Sequence, residues 1–171
     1  MLLCVLAITI ATAVALSFRF AESASHNDKL KILVVDDHPL TRKGIRVLLS
    51  QEPDMEVCGE AESVNGAIEA LEHCQPDLAI VDLCLKSSNG LDLVKHVALH
   101  HPAVHVLVLS IRDESFYAEQ ALEAGARAYI TKGDGSEKLI EGIRKVLTGQ
   151  VFVTDRIAAR LTRACAGGLP S

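Results

Sequence analysis

From Ile32 onward, short apolar runs recur at a nearly even step, beginning near Ile32, Met55, Leu78, Val104 and Ala126, and each gap has room for one helix. The runs "ILVV", "LAIV" and "VHVLVL" are β-branched and almost continuous, as parallel strands covered on both faces are. "MEVCGEA" alternates instead and suits a sheet edge. Between the runs, helical spacing places Leu40, Ile45, Leu48 and Leu49 on a first apolar face, and Ala67, Ile68 and Leu71 on a second. Leu91, Val94, Val97 and Ala98 make a third, Ala118, Ala121 and Leu122 a fourth, and Leu139, Ile140, Ile143, Val146 and Leu147 a fifth. The punctuation agrees. Pro39 stands where a first helical turn accepts it, Ser63 can cap the second helix, Asn89-Gly90 reads as a turn, and Gly125 as a stop after the fourth helix. Five βα units in a row predict an α/β fold with one doubly wound, five-stranded parallel sheet.

The first 20 residues, "MLLCVLAITIATAVALSFRF", break from this pattern, since Leu2 to Leu16 carry no charge. The run lacks the positive leading region of a secretory signal and falls short of the roughly 20 apolar residues of a spanning helix. It reads either as a membrane tether, with the basic residues behind it leaving the rest in the cytoplasm, or as an artefact of the chosen start site. Residues 21–28 read as a polar linker, residues 29–150 as the folded domain and residues 151–171 as a linker helix or tail.

With 171 residues, 49% of them apolar, the chain can bury one sizeable core. A formal charge of -5 argues against direct nucleic-acid binding, which needs clustered Lys and Arg. Five cysteines, Cys4, Cys58, Cys74, Cys84 and Cys165, include no C-x-x-C pair and no neighbouring histidine at metal-ligand spacing. Reduced, mostly buried thiols are the plain reading. His73, His96, His100, His101 and His105 read as solvated or core residues of helix and edge surfaces.

In a doubly wound sheet, ligands bind beyond the carboxyl ends of the strands. The first strand exits at Asp36-Asp37, the third at Asp82, the fourth at Ser110 and the fifth at Thr131-Lys132. An aspartate at one strand end is ordinarily a cap, and a lone lysine ordinarily a solvated face. Three carboxylates, a hydroxyl and an ammonium on one rim are a different matter. Two carboxylates about 5 Å apart repel by roughly 3 kcal/mol at an effective dielectric near 20, so a bare group of three is strained. A bound cation removes that strain. With oxygen ligands on offer and His38 the one imidazole nearby, a hard ion such as Mg²⁺ fits better than zinc. Lys132 and Ser110 could then bind phosphoryl oxygens beside an aspartate able to accept phosphate.

This ordered set resembles the receiver domain of two-component response regulators, a flavodoxin-like (βα)₅ fold, from Lys29 to about Val153. The resemblance implies that Asp82 is the phosphoacceptor and that Asp36, Asp37, Asp82 and the main-chain carbonyl of Cys84 hold Mg²⁺. It also implies that Lys132 and Ser110 serve the phosphoryl group, and that Tyr129 is the aromatic partner of Ser110 in the switch. The implied partner is a sensor histidine kinase or a phosphotransfer protein, with homodimerisation on phosphorylation. Two positions depart from the common pattern. Gly133 stands where many receivers have proline, and "DLCLKSSNGLDLV" lacks the usual Met-Pro. Cys84 and Arg112, each two residues beyond a site residue, offer no group able to act as a base for water, which implies a long-lived acyl phosphate.

"VFVTDRIAARLTRACAGGLPS" resembles the linker into a C-terminal helix-turn-helix output domain, for which about 20 residues are too few. The chain therefore reads either as a stand-alone, phosphorylation-switched interaction module or as part of a transcription regulator, and not as an enzyme. An aspartate-nucleophile phosphohydrolase would carry a second aspartate where Cys84 stands. A flavodoxin-type cofactor binder would need a hydroxyl- and glycine-rich loop where "DDHPLT" stands.

Overall fold

The computed structural model describes residues 29–86, 88–111, 114–154 and 157–159. The hydrophobic segment and linker read at residues 1–28, Cys4, Arg112, Cys165 and most of the tail lie outside them. The chain runs β1 (Leu30–Val35), α1 (Pro39–Leu49), β2 (Met55–Ala61), α2 (Val64–Cys74), β3 (Leu78–Val81), α3 (Gly90–His100), β4 (His105–Ser110), α4 (Glu114–Glu123), β5 (Ala128–Thr131) and α5 (Ser136–Leu147). The five strands form one parallel sheet in the order β2-β1-β3-β4-β5, with the alternating "MEVCGEA" at an edge. Cys84–Leu85 and Ser88–Asn89 pair antiparallel in a small hairpin before α3, an element the sequence pattern did not suggest.

Strand alternation sorts the core into two layers. Ile32, Val34, Leu78, Ile80, Leu107 and Ile130 face Ile45 and Leu49 of α1 and Leu139, Ile143 and Val146 of α5. Leu33, Val35, Ala79, Val81, Val106, Val108 and Tyr129 face Ala67 and Leu71 of α2, Leu93, Val94 and Val97 of α3, and Ala118 and Ala121 of α4. Each Val, Leu or Ile so buried contributes roughly 1.5–3 kcal/mol relative to exposure. Two helical assignments shift. Leu40 is 84% exposed, because the first turn of α1 overhangs the rim, and on α3 Leu93 takes the inward place expected of Ala98, which is exposed.

Helix ends follow local chemistry. Pro39 opens α1, where its missing N–H is not needed, and Ser63 caps α2 by accepting a hydrogen bond from the Gly66 amide. Asn89 acts as a cap as well, its side chain accepting from the Leu91 amide. Gly125 ends α4 with φ of 111°, a conformation that disfavours other residues.

The β1–β2 register slips between Ile32 and Leu33, leaving Cys58 as the bulged residue of β2. The Cys74 thiol donates to the Cys58 carbonyl at 3.2 Å. Burial, with Cys74 alongside, pushes the Cys58 thiol up to about 12, so it stays protonated. The three described cysteines are half-buried and form no disulfide, less enclosed than the sequence suggests, because Cys58 lies on the edge strand, Cys74 ends α2 beside it and Cys84 lies at the rim. Beyond α5, Phe152 adds a parallel bridge to Ala128, and Ile157 is buried in the layer of α2, α3 and α4. Among the described residues, no helix is long and apolar enough to cross a membrane.

Candidate functional site

The order β2-β1-β3 reverses the chain's direction of travel between β1 and β3, and the crevice opens where these two strands end. The backbone ladder continues one step past both. Asp36 N–H donates to the Ala61 carbonyl at 3.0 Å, and Asp82 N–H donates to the Val35 carbonyl at 2.9 Å. This brings Asp36, Asp37 and Asp82 together while leaving them only 2%, 6% and 1% exposed. Carboxylates withdrawn from water to that degree need partners.

Most of the partners are local amides. Asp36 Oδ1 accepts from the His38 amide at 2.7 Å, Asp82 Oδ1 from the Cys84 amide at 3.0 Å, and Asp37 Oδ2 from the Lys86 amide at 3.1 Å. The remaining oxygens of Asp36 and Asp82 meet one ammonium. Lys132 Nζ lies 2.7 Å from Asp36 Oδ2 and 2.5 Å from Asp82 Oδ2. Burial by itself would lower the Lys132 pKa, but the hydrogen bonds that its ammonium donates to Asp36 and Asp82 outweigh it and hold the ammonium above the ordinary lysine range.

The Lys132 backbone is fixed on both sides. Its N–H donates to the Ser110 carbonyl at 2.9 Å. Just past it, Asp134 Oδ2 accepts from the Thr131 amide and hydroxyl at 2.8 and 2.7 Å, closing a tight turn. Burial tends to raise the Asp134 pKa, yet the Thr131 donors and nearby Lys138 hold its carboxyl below the usual range. An Asp two residues after a strand-end Lys is the one mark this turn leaves in the sequence. Arg42 bears no sequence mark of its role: its Nη1 donates to the Asp36 carbonyl at 2.5 Å while its Nε donates to Glu60 at 3.2 Å.

Asp37 Oδ1 is the odd atom. It is buried and accepts no hydrogen bond. His38 Nδ1 approaches to 2.7 Å without the alignment a hydrogen bond needs. Ligand atoms of Asp36, Asp37, His38 and Asp82 all lie within 4.8 Å of one another. Against three formal carboxylate charges stand the Lys132 ammonium and, 4.0 Å from Asp37 Oδ2, the exposed Lys86 ammonium, so the group keeps a net negative charge for a divalent cation to offset. An unsatisfied buried carboxylate oxygen within an oxygen-rich group fits such an ion.

Ser110 is fully buried at the end of β4, in register with Thr131. The Cys84 Sγ lies 3.9 Å from Ser110 Oγ, at the start of the small hairpin. Tyr129 pairs with Val108 and is 1% exposed, its ring packed in the layer of α2, α3 and α4. The structure thus gathers Asp36, Asp37, Asp82 and Lys132 into direct contact or close approach, and places Ser110 and Cys84 beside one another. Arg112, the second neighbour invoked for acyl phosphate lifetime, lies outside the described residues.

Comparison with known proteins agrees with this geometry. A family model for the response regulator receiver domain matches residues 32–144. DegU, a transcriptional regulatory protein of Brevibacillus brevis, is 31% identical over 138 residues, covering 81% of this chain and 58% of DegU. The response regulator GacA of Pseudomonas syringae pv. syringae (strain B728a) is 32% identical over 132 residues, covering 77% of this chain and 62% of GacA. A crystal structure of a LuxR-family two-component response regulator from Aurantimonas sp. SI85-9A1 aligns with a TM-score of 0.74 at 29% identity, over 81% of this chain and 99% of that one. The isolated receiver domain of RcsB from Salmonella enterica serovar Typhimurium, solved with the phosphomimetic BeF3-, shares the fold at 23% identity and a TM-score of 0.70, over 77% of this chain and 98% of that one. The chain belongs to the response regulator receiver domain family of two-component systems, and its relatives include transcriptional regulators. It spans 58% and 62% of the length of DegU and GacA.

Proposed function

We propose that the chain accepts a phosphoryl group on Asp82 from a phosphohistidine of a partner kinase or phosphotransfer protein, in a Mg²⁺-dependent phosphorelay. The observation that carries this reading is the Lys132 ammonium joined to both Asp36 and Asp82, with the Asp37 Oδ1 beside them left without a hydrogen bond. An Asp82 carboxylate oxygen attacks phosphorus, the P–O bond forms as the P–N bond to the histidine breaks, and the released imidazole takes up a proton. Asp36, Asp37, Asp82 and the Cys84 carbonyl would hold Mg²⁺, which when bound neutralises charge developing on the phosphoryl oxygens.

Lys132 then exchanges one carboxylate contact for a phosphoryl oxygen, and Ser110 donates its hydroxyl to another. Tyr129 is already inward, so its role is to fill the space behind Ser110 as that hydroxyl moves toward the phosphate. The amide that Cys84 now gives to Asp82 orients the nucleophile, leaving the other oxygen for attack. The cytoplasm is the compartment that suits this chemistry, and residues 1–20 would be the tether if the protein is membrane-attached. Residues 29–150 form the receiver, and residues 151–171 lead toward whatever output the protein controls. As in DegU, that output is proposed to be transcription, with homodimerisation on phosphorylation as the link. No catalytic turnover of a free substrate is part of this function, since Cys84 replaces the second aspartate a phosphohydrolase would use.

The reading is tested by incubation with acetyl phosphate in the presence of Mg²⁺ or of excess EDTA, followed by intact mass. One added phosphoryl group, with Mg²⁺ alone, is expected. No adduct with Mg²⁺, or steady release of inorganic phosphate from a phosphomonoester, would overturn it.

A further inference from the structure

His38 occupies the N-cap of α1. Ser63 and Asn89 cap α2 and α3 with their side chains, yet the side chain of His38 makes no capping hydrogen bond. Its ring turns to the acidic pocket instead, where Nδ1 lies 2.7 Å from Asp37 Oδ1 and 3.2 Å from Asp36 Oδ1. The other oxygens of these two carboxylates are engaged elsewhere, Asp36 Oδ2 with the Lys132 ammonium and Asp37 Oδ2 with the Lys86 amide. Asp36 Oδ1 also accepts from the His38 amide at 2.7 Å, which pins the residue beside the pocket. Asp37 Oδ1 is buried and accepts no hydrogen bond. One oxygen of each aspartate and one imidazole nitrogen thus converge, and none of the three atoms is held by Lys132.

We propose that His38 Nδ1 is a ligand of the metal this pocket holds, so that the site takes a divalent transition ion such as Zn²⁺ or Co²⁺ in competition with Mg²⁺. The inference rests on the pocket being the metal site of the phosphoryl-accepting reading above, and it names the nitrogen that sets the choice of ion. An imidazole beside carboxylates is ordinarily an ion pair. Here a proton on Nδ1 serves one oxygen only, since the ring is aligned with Asp36 Oδ1 and leaves Asp37 Oδ1 unsatisfied at 2.7 Å. A metal ion serves all three atoms at once. Adjacent ligands of an octahedral ion with bonds of about 2.0–2.1 Å lie about 3 Å apart, and the two separations from Nδ1 fall on either side of that spacing. Asp82 belongs to the same group, in which ligand atoms of all four residues lie within 4.8 Å of one another. Oxygen ligands suit Mg²⁺, whereas imidazole suits the first-row transition ions, so the nitrogen strengthens binding of the second class far more than of the first. The residue types alone made His38 a neighbour of an oxygen-only set; the fold brings its nitrogen into that set. With its side chain 56% exposed, the ring meets an ion arriving from solvent without any rearrangement of the core.

The test is calorimetric titration of the full chain with Zn²⁺ and, separately, with Mg²⁺, for wild type and His38→Gln, with the imidazole signals followed by NMR. Mg²⁺ and Zn²⁺ should compete for one site, and the His38 signals should shift as Zn²⁺ fills it. His38→Gln should lower the Zn²⁺ affinity by about tenfold or more and the Mg²⁺ affinity by less than about twofold, while His96→Gln, at a surface histidine outside the pocket, should match wild type. Co²⁺ gives a second readout, since its visible absorption in the pocket should change when the nitrogen ligand is removed. A thermal melt without metal checks that His38→Gln is folded. Equal Zn²⁺ affinities in wild type and His38→Gln, equal losses for both ions, or Zn²⁺ binding that Mg²⁺ does not contest would overturn the ligand assignment. A Mg²⁺-dependent phosphoryl adduct on the same proteins would then leave the phosphoryl-accepting reading standing, whereas a wild type unable to bind Mg²⁺ would overturn both.

Discussion

Lys132 Nζ stands 2.5 Å from Asp82 Oδ2, although Lys132 follows β5 and Asp82 follows β3, with β4 between them. Its side chain also reaches Asp36, beyond β1, so one ammonium spans the rim from β5 to β1. This contact is formed in the folded chain only, and it raises the lysine's pKa against the effect of burial. A group whose folded pKa is raised adds stability below its unfolded value, about 10.4 for lysine, and loses that contribution as pH rises through the folded value. Denaturant unfolding of the wild type should therefore show a loss of the Lys132 contribution at strongly alkaline pH. Lys132→Met should flatten that alkaline limb while leaving the slope between about pH 7 and pH 9 unchanged. An equal alkaline loss in both proteins would show that the contact does not stabilise the fold.

Asp37 carries the test of metal binding. Its Oδ2 accepts the Lys86 amide, so removing the carboxylate altogether also removes a hydrogen bond that holds the loop after β3. Asp37→Asn retains an acceptor and removes the charge. Mg²⁺ should raise the melting temperature of the wild type by mass action, and Asp37→Asn should lose most of that rise. Without metal, the variant should match or exceed wild-type stability, because the buried Oδ1 accepts no hydrogen bond to lose. A metal-free loss above about 1 kcal/mol would show Asp37 to be a structural cap instead.

Gly90 sits under the site for a steric reason. A Cβ added there would lie 2.2 Å from the Asp82 carbonyl oxygen and 2.7 Å from the Leu83 Cα, both backbone atoms with little room to retreat. Gly90→Ala should destabilise the chain by about 1–3 kcal/mol and slow phosphoryl acceptance by displacing Asp82. Gly44→Ala is the control, since a Cβ there meets nothing within 4 Å. Similar melting temperatures and labelling rates for the two variants would remove Gly90 from the account.

If Asp82 is the acceptor proposed above, the lifetime of its acyl phosphate depends on what can orient water there. The Cys84 thiol, a weak hydrogen-bonding group, lies two residues beyond Asp82 and 3.9 Å from Ser110 Oγ. Self-dephosphorylation should be slow, and Cys84→Asn with Arg112→Glu should shorten the lifetime by adding polar groups that position water. Decay of the phosphorylated species is followed after removal of the phosphodonor, with Mg²⁺ constant. Decay no faster than wild type would contradict the gating argument while leaving Asp82 as the acceptor.

The layered fold was legible because β-branched runs and helical spacing each obey one period, and because five such pairs admit few topologies. The rim residues were legible because strand ends can be found from those runs. What stayed hidden depends on contacts between distant segments. Cys58 reads as an ordinary strand residue until the partner strand exposes the bulge, and Phe152 reads as linker until it pairs with Ala128. Asn89-Gly90 looked like a turn from its residue types alone; its roles, a helix cap and a close approach to Asp82, need the third dimension. Leu40 fitted the helical period yet faces outward, since periodicity does not say where a helix overhangs its sheet. Arg42 belonged to a plain helical face by sequence, and only packing brings it to the Asp36 carbonyl.

The central claim is that Asp82 alone carries the phosphoryl group. Wild type and Asp82→Asn are incubated side by side with acetyl phosphate and Mg²⁺, their fold checked by thermal melting, and their intact masses compared. The account predicts one phosphoryl adduct on the wild type and none on Asp82→Asn, with both proteins folded. Equal labelling of the two would contradict it.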